Sequence, residues 1–167
     1  MPAGATYEPI ATTTLGSAAS SITFSSIASS WTDIKVIIVA TAASNANFAF
    51  RFNSDSGSNY SRTRMAADGS TVTSSENTNQ TELQLTSSFN IGTTPVMRTL
   101  DIFSYAGSTN KTVLFEEIND LNGSGGLNKQ VGLWRNSAAI TSINFFAQSA
   151  TNFATGTTAT LYGIKNA

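Results

Sequence analysis

The 167-residue chain is nearly neutral and rich in small polar side chains, with 23 Ser, 24 Thr and 15 Asn but only nine Lys or Arg and ten Asp or Glu. So few cations argue against binding to nucleic acid, which depends on Lys and Arg that neutralise phosphates, and against a basic amphipathic helix on a membrane. The absence of Cys and His removes the thiol nucleophile, the commonest general base and the commonest metal ligand. We therefore expect no nucleic acid, membrane, metal or cofactor partner.

The first residues predict two strands, and the second of them shows the period of two that is typical of half-buried strands. Residues 6–16 are rich in Thr and include Pro9, which a sheet accepts at an edge or a strand start, so an edge strand is predicted. Residues 20–27 predict a second strand. Residues 28–33 predict a short helical or turn connection, with Trp31 covering one end of the core.

Two strongly apolar segments come next. Residues 34–41 are apolar on both faces, and their β-branched content favours a central strand covered on both sides over a short buried helix. Residues 47–53 place Phe48, Phe50 and Phe52 on one face, which predicts a row of rings directed at the core.

Residues 54–80 form the most irregular stretch of the sequence, with one possible short strand at 60–65. Clusters of Ser, Asn, Gly and Asp are typical of loops and turns. A loop of this length inside a compact domain is usually functional or mobile. We therefore expect a long loop here that is open to a binding role.

The second half returns to strand patterns separated by turns. A hairpin turn is predicted at 106–111 and a Gly-rich surface loop at 119–128. The predicted strands are 82–86, 89–91, 96–105, 112–118 and 130–135.

Residues 140–165 predict a C-terminal hairpin of two strands joined by a polar loop. In its first strand Ile143, Phe145 and Ala147 share a face, and in its second Leu161 lies opposite Tyr162 and Ile164. With eight or nine strands in total and no helical period, the fold class is all-β. The prediction is a single antiparallel β-sandwich domain over residues 1–167, with a jelly roll of about eight strands as the favoured topology.

Few residues suggest catalysis. Glu82, Asp101 and Glu117 could converge as a two-carboxylate glycosidase site, although single carboxylates on a solvated sheet face are commoner. Adjacent Glu116 and Glu117 must point to opposite faces of a strand. Residues 53–59 faintly resemble a calcium loop but carry one carboxylate, which favours a hydrogen-bonded turn.

Two further patterns have weak functional interpretations. GSGG at 123–126 lacks the Lys and the helix of a phosphate loop, so it predicts a hairpin tip. The aromatic residues could form a platform on which sugars stack, but such residues are more often core or interface anchors. The candidates are Trp31, Tyr60, Tyr105, Trp134 and Tyr162.

Two segments carry a resemblance to a known group. The sequence RFNSDSGSNYS at 51–61 and the ending SINFF…NFATGTTATLYGIK resemble small tailed-bacteriophage virion structural proteins, in which FN-D-GSNYS and LYGIK segments recur. The resemblance implies structural roles for Gly57 and Asn59 in a tight turn and for residues 161–164 in a closing strand. It brings no catalytic residues.

The resemblance implies a non-enzymatic virion protein, made in the host cytoplasm and located in the particle. The leading expectation is a capsid decoration or cement protein that acts as a homotrimer and stabilises the head shell by binding the major capsid protein or other virion proteins. A tail-fibre or receptor-binding module that recognises host surface glycans is the alternative, and a glycan depolymerase comes third. The subunit-contact candidates are Tyr162, Ile164, Trp134 and Tyr60.

Overall fold

The computed structural model describes residues 6–85, 90–120 and 125–165. These ranges form twelve β-strands and no helix, so the predicted helical alternative for residues 28–33 does not occur. The strands are β1 (Tyr7–Thr14), β2 (Ser21–Phe24), β3 (Asp33–Ala40), β4 (Phe48–Phe52), β5 (Tyr60–Ala67), β6 (Val72–Gln80), β7 (Leu83–Leu85), β8 (Val96–Phe103), β9 (Lys111–Asp120), β10 (Gly125–Trp134), β11 (Ile143–Ala147) and β12 (Thr158–Ile164).

The strands form two antiparallel sheets with the strand pairing of a jelly roll. The large sheet has the order β1-β12-β3-β8-β9-β10-β5-β6, and the small sheet has the order β2-β11-β4-β7. The first four strands pair in turn with β12, β11, β8 and β7, as if one long hairpin had been folded over. The predicted all-β sandwich and jelly roll are confirmed. Twelve strands are present because the hairpins β5–β6 and β9–β10 are inserted and widen the large sheet.

The core lies between the two sheets and is organised by the three rings of β4. Phe48 lies 4.7 Å from the guanidinium of Arg98, and Phe50 and Phe52 lie 5.3 and 5.6 Å from the rings of Phe115 and Trp134. Each ring therefore meets a different strand of the large sheet, which confirms the predicted row directed at the core. Such ring pairs add about 0.5–1.5 kcal/mol each beyond their buried area.

Residues 54–80 are not a long loop. The structure places β5 and β6 there, paired as a hairpin at the edge of the large sheet. All five side chains from Val72 to Glu76 on β6 are exposed, both those that point outward and those that point inward. An edge strand open on both sides has no need of apolar alternation, so its sequence is indistinguishable from that of a loop.

The C-terminal strands do not form a hairpin either. β11 pairs with β2 and β4 in the small sheet, whereas β12 pairs with β1 and β3 in the large one. The predicted faces are nevertheless confirmed, since Ile143, Phe145 and Leu161 are buried. Periodicity reports which face a side chain takes but does not report the partner of the strand.

The other predicted boundaries shift modestly. β1 is an edge strand as predicted, with an irregular register next to Pro9. β9 and β10 run into the predicted Gly-rich loop, so Gly125 and Gly126 belong to a strand, and 121–124 lie outside the described residues. The predicted strand 89–91 also begins outside them, and Ile91 forms an isolated bridge with Ala46.

Candidate assembly surface

The outward-facing side of the small sheet is an ordinary polar surface. Asn144 donates to Thr23 at 2.7 Å, and Arg51 forms an ion pair with Glu82, which also accepts from Gln84 at 2.9 Å. Side chains on this side therefore satisfy one another or face solvent.

The outward-facing side of the large sheet, here called the outer face, is different. β3 was predicted to be covered on both sides, but only its inner face is covered: Val36 and Ile38 are fully buried, while Val39 is exposed. Strand alternation and register place every exposed large apolar side chain of the described residues on this outer face. These nine side chains are 38–71% exposed and comprise Tyr7, Val39, Met65, Val72, Met97, Phe103, Ile118, Leu127 and Val131.

Six residues form a continuous row across the outer face, here called the central row. Each is the register partner of the next, on the successive strands β3, β8, β9, β10, β5 and β6. In that order they are Val39, Met97, Ile118, Leu127, Ala67 and Val72. At about 4.8 Å per strand the row is about 24 Å long. Contiguous exposed apolar surface on this scale marks an interaction site.

Four of the five charges beside the central row are paired within the chain. Lys35 lies 2.7 Å from Asp101, and Lys129 lies 3.4 Å from Glu116. Glu76 occupies the outward side of the edge strand β6 and adds one negative charge. Because the two ion pairs cancel, the outer face carries too little net charge to attract a strongly acidic or basic partner.

The sequence-predicted contact residues separate into two groups. Tyr162 and Ile164 lie on β12, half-buried, on the outer face, with Ile164 paired to Tyr7. Their role as contacts stays a prediction. Tyr60 and Trp134 are fully buried in the core, with their rings stacked at a centroid distance of 6.3 Å. This corrects their proposed roles, because neither ring can reach a partner or a sugar.

The candidate carboxylates do not converge. Glu82 pairs with Arg51 on the small sheet and Asp101 with Lys35 on the outer face, whereas Glu117 lies on the inner face of β9. Glu116 is outward-facing, so the two adjacent acids do point to opposite faces of the strand, as predicted. The three acids therefore belong to three separate ion pairs and cannot flank one bond as a glycosidase pair requires.

The ion pair of Glu117 with Arg98 is completely buried. Their side chains are 1% and 0% exposed, and the two charged groups approach to 2.6 Å. Burial lowers the pKa of Arg98 and raises the pKa of Glu117 to about 7, against the attraction between the two. The pair stands at the centre of the sandwich and is inaccessible to a substrate.

Residues 53–59 form the hydrogen-bonded turn that was favoured over a calcium loop. Asp55 accepts from the backbone N–H of Gly57 at 2.8 Å, from Asn59 at 2.9 Å and from the indole N–H of Trp134 at 2.7 Å. Within the described ranges no group of three or more Asp or Glu side chains is placed to hold a metal ion.

No protein-family model matches the chain, and no match is found among curated proteins or among solved structures. The part of the chain that the structure describes contains no helix that is long and apolar enough to cross a membrane.

Sequence reasoning missed the central row, although a signal for it was present. The strands around Met97, Ile118 and Leu127 carry apolar residues at positions that alternate with the core positions, just as residues 34–41 do. Several adjacent strands that are apolar on both faces indicate a sheet with a second covered side. The pairing order was needed to show that these residues are neighbours.

Proposed function

We propose that the chain is a non-enzymatic structural protein of a tailed-phage particle, most simply a capsid decoration or cement protein that binds and stabilises the head shell as an oligomer. The observation that carries the proposal is the outer face, on which all the exposed large apolar side chains of the described residues are gathered. The resemblance of residues 51–61 and of the C-terminal segment to virion structural proteins supports the same function.

The energetics favour permanent contact. Apolar surface removed from water contributes roughly 25 cal/mol per Å² before the costs of association. Ser and Thr, which dominate the composition, lose little rotamer entropy when a contact immobilises them. Assembly about a symmetry axis multiplies each such contact. The sequence analysis expects three copies, which stays an expectation, and the proposed partner is the major capsid protein.

The test uses capsids from a particle that lacks this chain. The purified chain is mixed with them, and we expect it to co-sediment and to raise the temperature at which the shells release their contents. Capsids that already carry the chain are the control, because their sites are occupied and should take up little more. Failure to bind, with no change in heat resistance, would contradict the proposal.

One cavity favours the alternative of a receptor-binding module. It has a volume of about 270 Å³, and two of its lining residues, Asn90 and Asn119, carry buried amide oxygens without a hydrogen-bond partner among the described residues. The hydroxyls of a sugar could donate to these oxygens if the two side chains turned toward the cavity. The lining residues are Asn45, Asn90, Gly92, Thr93, Thr94, Val96 and Asn119.

A glycan array tests this alternative. Binding that is lost in Asn90→Ala and Asn119→Ala, and retained in Thr23→Lys on the small sheet, would favour a receptor-binding module. An array without any bound glycan would leave the capsid proposal standing alone.

A further inference from the structure

We propose that a second copy of the chain covers the outer face, related to the first by a two-fold axis that runs parallel to the strands between β9 and β10. The proposal goes beyond a role in a virion, since it concerns the pairing of the chain with itself. It also specifies two copies about this face where the sequence analysis expects three.

The register of the sheet suggests this axis. The six strands of the central row have the order β3, β8, β9, β10, β5 and β6, and their midpoint lies between β9 and β10. Rotation about an axis parallel to the strands keeps each row at the same position along the strand direction and reverses the order of its residues. The central row of one copy therefore faces the central row of the other, and apolar residues meet apolar residues. The pairs are Val39 with Val72, Met97 with Ala67, and Ile118 with Leu127 of the second copy.

The charges on the neighbouring rows become complementary under the same rotation. Glu116 and Lys129 are direct register partners on β9 and β10, so each meets the other residue of the second copy. Lys35 on β3 meets Glu76 on β6, two strands that are equally far from the axis. Each of these contacts occurs twice in the pair. Opposite charges thus face one another at four places, which fixes register and suppresses wrong partners.

A neighbouring axis lacks this match. If the axis ran between β8 and β9, the middle of the eight-stranded sheet, Lys35 would lie on Val131 and Asp101 on Leu114 of the second copy. Burying charged groups against apolar side chains is costly. The axis between β9 and β10 places cations over anions and is therefore the one we assign.

The size of the surface is sufficient for a stable pair. Six strands of about eight residues cover about 29 Å by about 27 Å, or about 800 Å² per copy, and specific interfaces bury about 800 Å² per partner. Stacked sheets pack about 10 Å apart and are rotated by about 30° through their twist. Ile118, Leu127, Glu116 and Lys129 lie next to the axis, so this rotation displaces them least.

The first experiment measures the mass of the full chain by analytical ultracentrifugation over a range of concentrations. We expect a dimer, and we expect Ile118→Lys to weaken it by about 100-fold or more, since the added charge lies at the centre and occurs twice. Thr23→Lys, a change at an exposed position on the small sheet, should leave the dimer intact. A wild-type chain that stays monomeric at millimolar concentration, or that forms only trimers, would overturn the proposal.

The second experiment tests the axis by charge reversal. Glu116→Lys and Lys129→Glu should each abolish the dimer, because like charges then face one another across the interface. When the two variant chains are mixed, they should form a heterodimer, because the two basic residues of Glu116→Lys then face the two acidic residues of Lys129→Glu. A single variant that still dimerises alone, or a mixture that stays monomeric, would show that the axis is wrong.

Ile164 distinguishes this surface from the contact expected from the sequence. β12 lies beside the six strands and outside their overlap. Ile164→Asp should therefore leave the dimer intact, and its dissociation together with a tolerated Ile118→Lys would refute the assigned surface. Binding to capsids is measured separately, so a failed dimer and a failed virion function can be told apart.

Discussion

Asp55 fixes the buried indole of Trp134 to the turn that precedes β5. Its carboxylate accepts three hydrogen bonds, one of them from the indole N–H, and Trp134 is fully buried. A side chain at position 57 would disturb these hydrogen bonds, because a Cβ there would lie 2.8 Å from Asn59 Nδ2 and 3.1 Å from Asp55 Oδ1. Residues 53–59 thus form one hydrogen-bonded turn that anchors the core.

Removal of this carboxylate should weaken the fold without affecting the outer face. Asp55→Ala leaves the indole N–H of Trp134 without an acceptor, and we expect the free energy of unfolding in urea to fall by about 2–3 kcal/mol. Asp55→Asn should cost less, since its amide oxygen can still accept. An unchanged urea midpoint for Asp55→Ala would contradict this account of the turn.

The same residue should contribute to loss of stability in acid. Burial acts to raise the pKa of Asp55, but the hydrogen bonds from Trp134, Asn59 and Gly57 outweigh it and hold the pKa below its ordinary value. Its contribution is therefore complete above the unfolded-state pKa and is lost as the pH falls through the folded-state pKa. Between pH 6 and pH 2, the free energy of unfolding measured in urea should fall less steeply in Asp55→Asn than in the wild type.

At the scale of the element, β12 is shaped by the ring that lies on it. A Cβ at Gly163 would come within 2.1 Å of Trp31 Cδ2, so the indole rests directly on the backbone of the strand. Lys165 Nζ also lies over the Trp31 ring, 4.7 Å from its centroid. Trp31 is half-buried and packs against the core, as expected of a side chain that covers one end of it, and the glycine in LYGIK leaves room for the indole.

Gly163→Ala should destabilise the protein by about 1–3 kcal/mol, the usual cost of overpacking. The added methyl group must displace the indole, which thermal unfolding would report as a lower midpoint. Combining Gly163→Ala with Trp31→Leu should cost less than the sum of the two single changes, because the smaller side chain makes room. Strict additivity would show that the contact with Trp31 is not the cause.

The paired strands β8 and β9 hold the buried ion pair, which should give stability an unusual pH dependence. The folded-state pKa of Glu117 is raised to about 7 from an ordinary value of 4.5. Between these values the folded chain binds a proton that the unfolded chain does not, so the free energy of unfolding falls as the pH rises. The full change is on the order of 3 kcal/mol, from about 1.4 kcal/mol per unit of pKa.

The measurement is favourable because the chain has no His to titrate in the same window. Urea unfolding should show lower stability at pH 8 than at pH 5.5, and Glu117→Gln should remove most of that slope. A wild-type slope of the opposite sign would contradict the raised pKa.

For the molecule as a whole, the sequence predicts which face of a strand is buried, because periodicity encodes it. The sequence predicts little about which strands pair with one another. The row at Phe48, Phe50 and Phe52 could be assigned to the core because three rings alternate with smaller or polar residues. The β5–β6 hairpin could not be recognised, since an exposed edge strand needs no apolar side. Tyr60 and Trp134 were proposed as contacts because an aromatic side chain gives no sign of whether it lies inside or outside.

The same limit explains why the outer face emerged only with the structure. A strand that is apolar on both sides has the same sequence whether its second side is covered by a layer of the same chain or by another copy. Residues 34–41 were therefore predicted to be covered twice, and the chain covers them once. The strand order then gathers Val39, Met97, Ile118 and Leu127 into one surface, which no single segment reveals.

Pairing through that surface should make the thermal stability of the whole molecule depend on its concentration. When a folded dimer unfolds to separate chains, mass action favours the dimer at higher concentration, and the midpoint of unfolding rises. We expect calorimetry of the wild type to show a rising midpoint over a 100-fold range of concentration, and Ile118→Lys to show a constant one. Thr23→Lys should behave as the wild type does. Ile118 is already half exposed in a single chain, so its substitution should remove the concentration dependence without opening the core. A lower unfolding midpoint in Ile118→Lys that still rises with concentration would contradict the role of this surface.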